Sequence, residues 1–133
     1  MAFSSDNYCF ACGEKNPIGL HLKFEPEGDK YVAKKIIARE YEGYENVVHG
    51  GILTTMLDEA MGNYVQEKYH EQAMTARLEI RYHVPTPIEQ ELKISAWQES
   101  QRLNIITMKA QIQTADEVVT AEATAKFALV SLK

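Results

Sequence analysis

The stretch from Gly50 to Tyr69 is the one segment of this chain that reads as a long helix, and everything else must be arranged around it. Apolar residues fall at Ile52, Leu53, Met56, Leu57, Ala60, Met61, Tyr64 and Val65. They come in pairs four apart, which makes a broad stripe at about 3.6 residues per turn. A stripe that wide predicts a helix that is mostly covered. Asp58 and Glu59 fall on opposite flanks of it, with Thr54 beside Asp58 and Asn63 beside Glu59.

The other apolar segments alternate, the period of strands. Residues 16–24 place Ile18, Leu20, Leu22 and Phe24 on one face and read as a strand; Pro26, Gly28 and Asp29 make a turn, and Tyr31 to Ile37 reads as the hairpin partner. After the helix, Ala76, Leu78, Ile80, Tyr82 and Val84 alternate with Arg77, Glu79, Arg81 and His83 until Pro85 and Pro87 halt the strand. A further strand spans about residues 90–99. In the last two, Ile106, Met108, Ala110 and Ile112 share a face, as do Val119, Ala121, Ala123, Ala125, Phe127 and Leu129, with Asp116-Glu117 as the turn. The alanine column lets a helix approach closely, so the last strand is expected near the sheet centre, under the helix.

The order ββαββββ predicts an α+β fold in which an antiparallel sheet of about six strands curls around one long helix. At 133 residues and 45% hydrophobic, the chain makes one domain, spanning 1–133. Open sheet edges call for partners, and dimerisation is the natural answer. A net charge of -5 without a lysine or arginine cluster argues against nucleic acid or an anionic membrane as the main partner. Met1 to Asp6 lacks the charged and apolar regions of a signal peptide, and no apolar run approaches a membrane span, so the cytoplasm is the expected compartment.

Two features carry chemistry. Val48-His49-Gly50-Gly51 opens the helix, where unpaired N–H groups and the positive end of the dipole meet glycines that let a ligand oxygen come close, a candidate oxyanion hole. Cys9 and Cys12, the only cysteines, supply half of a zinc site or a redox pair. A structural zinc takes four ligands, and no second Cys/His pair stands at ligand spacing; His70-Glu71 begins like a zinc-protease helix, but Met74 occupies the second histidine's place. The cysteines therefore read as a reduced thiol turn, with no metal and no redox cofactor expected.

With that layout in place, the chain resembles the hotdog-fold thioesterases, in particular the PaaI-like acyl-CoA thioesterases. The resemblance covers most of the chain. It rests on His49-Gly50-Gly51 with an acid nine residues after the histidine at Asp58, on Thr75, Tyr82 and Pro85 in the next strand, and on Cys9-Phe10-Ala11-Cys12-Gly13 followed by Asn16-Pro17 and Gly19-Leu20. It implies that the Gly50 amide polarises a thioester carbonyl, that Asp58 activates water or attacks directly, that Thr75 places the water and that His49 shapes the carbonyl site. Gly51, Asn46, Arg81 and His83 are candidate substrate contacts. Gly43 stands six before the histidine, where some members carry a side-chain amide.

Gly50 and Asp58 are eight residues apart on one helix, or about 12 Å along its axis, too far for one carbonyl to touch both. A site shared between subunits of a homodimer or homotetramer resolves this, as the resemblance also implies. The expected activity is hydrolysis of an acyl-CoA thioester to carboxylate and free CoA. Alternatives of other classes are an acyl-CoA-binding regulatory module without turnover and an enoyl-thioester hydratase. Asp58 favours an enzyme, and no Gly-x-Ser-x-Gly elbow supports a serine hydrolase. The acyl group stays open, with Met56, Met61, Tyr64 and Trp97 as residues that would close its tunnel.

Overall fold

The computed structural model describes residues 7–130, so the N-terminal leader reading of Met1 to Asp6 lies outside the described residues. Six strands, β1 (Glu25–Glu27), β2 (Lys30–Ile36), β3 (Gln72–Tyr82), β4 (Glu91–Arg102), β5 (Ile105–Thr114) and β6 (Val119–Val130), form one sheet in the order β1-β2-β4-β5-β6-β3. Every pairing is antiparallel. The helix α1 (Gly50–Tyr69) lies across one face, packed on β2 to β6. This is the hotdog arrangement.

The apolar stripe of α1 does what its period implies. Leu53, Met56, Leu57, Ala60, Met61 and Val65 are buried, while Ile52 and Tyr64 are partly so. Burying side chains of this size contributes about 1.5–3 kcal/mol each. The inner face thus anchors the helix, and its flanks and ends are free for chemistry. Opposite it, Ala121, Ala123 and Ala125 of β6 are buried and give the helix its close approach. β6 is an interior strand between β5 and β3, one place off the middle pair β4 and β5. His70 ends the helix in the left-handed region, φ 53°, donating its N–H to Gln66 O.

Residues 16–24 form no strand; the first strand is only Glu25–Glu27, joined to β2 by Gly28 at φ 65°. His21 sits at φ 55°, which breaks an extended run in its middle. The alternation there instead reports burial: Leu20 and Leu22 point inward, and their N–H groups donate to Phe10 O and Ala11 O of a coiled loop. Ile18 is exposed. In β3 the alternation also fails at one end, because Ala76 is the extra residue of a bulge between Thr75, opposite Phe127, and Arg77, opposite Lys126. Ala76 is exposed, and Val84 lies beyond the strand.

Candidate active site

The start of α1 uses one of its two glycine amides locally and leaves the other open. His49 caps the helix, its Nδ1 accepting from the Gly51 N–H at 2.9 Å, and its carbonyl accepts from Ile52 and Leu53 at 2.9 and 3.1 Å. An accepting Nδ1 puts the proton of a neutral His49 on Nε2. The Gly50 N–H, first in the helix, meets no acceptor among the described residues. It is the free donor at the positive end of the dipole.

Gly50 opens on a cavity of about 740 Å³. Its walls are chiefly apolar, with Val47, Val48, Leu53, Val84 and Pro85 among them. None of Met56, Met61, Tyr64 and Trp97 lines it; Met56 and Met61 are spent in the core. Tyr82 closes over the glycine. Its hydroxyl lies 2.6 Å from Thr54 Oγ1 and 3.1 Å from Gly50 O, and Thr54 Oγ1 lies 3.0 Å from the same carbonyl, so one hydroxyl donates to the other while the second donates to Gly50 O. A Cβ added to Gly50 would come 3.5 Å from the Tyr82 ring. Tyr82 stands in the sequence motif, but its role comes only from the end of β3 arriving over the helix N-terminus. Thr86 also lines the cavity, fully buried, and its hydroxyl has no partner among the described residues.

On the flank of α1, Thr75 Oγ1 donates to Asp58 Oδ1 at 2.8 Å. The bulge makes this bond. Strict alternation from the inward Leu78 and Ile80 would point Ala76 toward the helix and Thr75 away; one extra residue restores Thr75 to the inner face, opposite buried Phe127. Asp58 is half-buried and Thr75 exposed, on a strand whose outer edge has no partner among the described residues. Asp58 and Thr75 are not among the cavity's walls, as expected for an acid about two turns along the helix from Gly50 and the β3 hydroxyl bonded to it.

The remaining candidates scatter. Asn46, at φ 65°, sits in the exposed loop before the helix, its N–H on Glu42 Oε1 at 3.2 Å and its carbonyl accepting from Ile88. His83 stands at the cavity rim with Nε2 2.8 Å from Glu122 Oε2. Arg81 lies opposite Glu122 in the ladder, on the sheet face turned from the helix, and is not brought to Gly50. Gly43 passes so close to the cap that a Cβ there would lie 3.2 Å from His49 Cα. Glu59, on the flank opposite Asp58, accepts from Asn63 at 2.8 Å and faces the thiols of Cys9 and Cys12.

The sequence profile of the thioesterase superfamily matches residues 45–121, more than half of the chain, and takes in Gly50, Asp58, Thr75 and Tyr82. The chain belongs to that superfamily. Among solved structures it is similar to RHA08564, a thioesterase superfamily protein, at 27% identity and a TM-score of 0.85 over 92% of this chain; the chain spans 60% of that protein's length. It shares its fold with the E. coli PaaI protein from the phenylacetic acid degradation operon (15% identity, TM-score 0.77, covering 84% of this chain and 81% of that one). It also shares it with a hypothetical thioesterase from Streptococcus pneumoniae TIGR4 solved with coenzyme A (18% identity, TM-score 0.75, 84% and 90%). No curated protein matches the chain.

Proposed function

We propose that this protein hydrolyses acyl-CoA thioesters. The observation that carries the reading is the Asp58–Thr75 pair, a carboxylate held by a strand hydroxyl at 2.8 Å on the central helix of a thioesterase-superfamily chain. The Gly50 N–H receives the developing oxyanion, an interaction typically worth about 2.7–4 kcal/mol in the transition state. Asp58 acts as general base on water or as the nucleophile itself, with Thr75 orienting the attacking oxygen. Attack forms a C–O bond at the carbonyl carbon as the C–S bond breaks. With Asp58 as base, the proton it takes from water passes to the sulfur, so CoA leaves as the thiol; with Asp58 as nucleophile, water then hydrolyses the acyl–Asp58 anhydride and supplies that proton. Similarity to a CoA-bound thioesterase supports CoA as the carrier.

The two halves come from different subunits in this reading. Gly50 of one chain faces Asp58 and Thr75 of another, which supports a homodimer or a homotetramer. The open edge of β3 and its exposed Met74 and Tyr82 support the same arrangement, because an uncovered strand edge is a pairing surface. Among the described residues, no helix is long and apolar enough to cross a membrane.

A panel of aromatic, short-chain and medium-chain acyl-CoAs, followed by release of free thiol to a thiol-reactive dye, tests the reading. At least one class should turn over catalytically. Saturable CoA-ester binding with no thiol release from any member would replace hydrolysis by a binding role.

A further inference from the structure

The thiols of Cys9 and Cys12 and a carboxylate oxygen of Glu59 lie within 4.8 Å of one another. Two distant parts of the chain build this cluster. The cysteines sit on a tight turn closed by the Gly13 N–H donating to Cys9 O at 2.8 Å, and only glycine fits there, since a Cβ would lie 2.3 Å from Cys9 N. Glu59 comes from α1, and its Oε2 is fixed by the Asn63 amide at 2.8 Å. Sequence spacing offers two ligands; the fold adds a third.

We infer that Cys9, Cys12 and Glu59 form a site for one thiophilic divalent cation of the Zn2+ type, which pins the N-terminal loop to the flank of α1 opposite Asp58. Two sulfurs and a carboxylate are the donor set for such an ion. Tetrahedral zinc with Zn–S bonds of about 2.3 Å holds its sulfurs about 3.8 Å apart, within the spread seen here. Asn63 orients the carboxylate as an outer hydrogen-bond partner does in metal sites. The fourth position is left to water, and no reaction step is assigned to the ion. Without a cation, burial, and then the Glu59 carboxylate and Cys9, push the Cys12 thiol well above its ordinary value. A bound cation reverses that balance, and both thiol protons pass to solvent. The inference is independent of the hydrolytic reading.

The test uses the full chain, reduced and stripped with a chelator, then titrated with Co2+. One equivalent per chain should bind with a sulfur-to-cobalt charge-transfer band and tetrahedral d–d bands, and Zn2+ should displace it. Glu59→Gln keeps both thiols and should weaken binding at least about tenfold. Cys12→Ser should abolish the tetrahedral spectrum, with circular dichroism reporting on the fold. A readout independent of any substitution is the reaction of the wild-type thiols with a disulfide reagent, which Zn2+ should slow. No saturable charge-transfer band in the wild type, a Glu59→Gln variant that binds as tightly as the wild type, or thiol reactivity indifferent to Zn2+ would overturn the site.

Discussion

Thr75 reaches Asp58 at 2.8 Å because Ala76 is looped out of the β3–β6 ladder. A bulge costs a ladder position and bends the strand, yet here it turns a hydroxyl onto the helix flank where the acid stands. The hydrogen bond and the backbone irregularity are therefore one feature. Asp58→Asn should abolish thioester hydrolysis while leaving the fold and CoA-ester binding intact, as read by steady-state thiol release and circular dichroism. Thr75→Ala removes one hydrogen bond, commonly about 0.5–1.5 kcal/mol net, and should slow turnover up to about tenfold. A dead Glu59→Gln beside an active Asp58→Asn would move the acid to the other flank.

Deleting Ala76 tests the bulge itself. The deletion sets Thr75 directly before Arg77, where regular alternation still turns it inward opposite Phe127, so the bond to Asp58 and most of the turnover should survive. Adding Thr75→Ala to the deletion should then cost as much as it does in the wild type, because the hydroxyl is still at the site. A deletion variant in which Thr75→Ala has no further effect would show that the bulge geometry itself, and not the face on which Thr75 falls, aims the hydroxyl.

The two helix-start glycines should part company. Gly50→Ala brings a Cβ into ordinary contact with the Tyr82 ring, 3.5 Å away, and alanine is the better helix former. The variant should melt at or above the wild-type temperature and yet lose kcat, since the methyl group stands where a carbonyl oxygen must approach the amide. Equal loss of stability and activity would make Gly50 a packing residue.

Thr86 carries a buried hydroxyl with no partner among the described residues. Thr86→Val keeps its shape and removes the uncompensated polar group, and should raise stability by about 1 kcal/mol in a denaturant titration. A fall in stability would mean that the hydroxyl is satisfied in solution.

Periodicity makes a helix over about Gly50 to Tyr69 legible, and alternation locates β5 and β6, because both are local consequences of which side chains face the core. What it missed depends on partners far away in sequence. Leu20 and Leu22 alternate like a strand, but only the backbone of Phe10 and Ala11 is there to pair with them, and His21 turns left-handed. The bulge at Ala76 exists only relative to Phe127 and Lys126. Tyr82 over Gly50 and Glu59 against Cys12 are contacts between elements, invisible to spacing along one of them. The Asp58–Thr75 pairing was readable through family resemblance, not through geometry on the helix alone.

The shared-site reading makes the strongest prediction. Gly50 and Asp58 lie about 12 Å apart along one helix axis, so a single chain presents the oxyanion donor and the acid to different places. An Asp58→Ala chain and a Gly50→Val chain should each be inactive as homo-oligomers, since every site in either assembly has lost one half. When well-folded samples are mixed and subunits exchange, each heterodimer holds one doubly damaged site and one with Gly50 from the first chain and Asp58 and Thr75 from the second. Activity should reappear, up to half the wild-type value per heterodimer, and should rise with the exchanged fraction measured by mass spectrometry of differently tagged chains. Exchange without recovered activity, or a stable monomer with full turnover, would place the entire site within one chain.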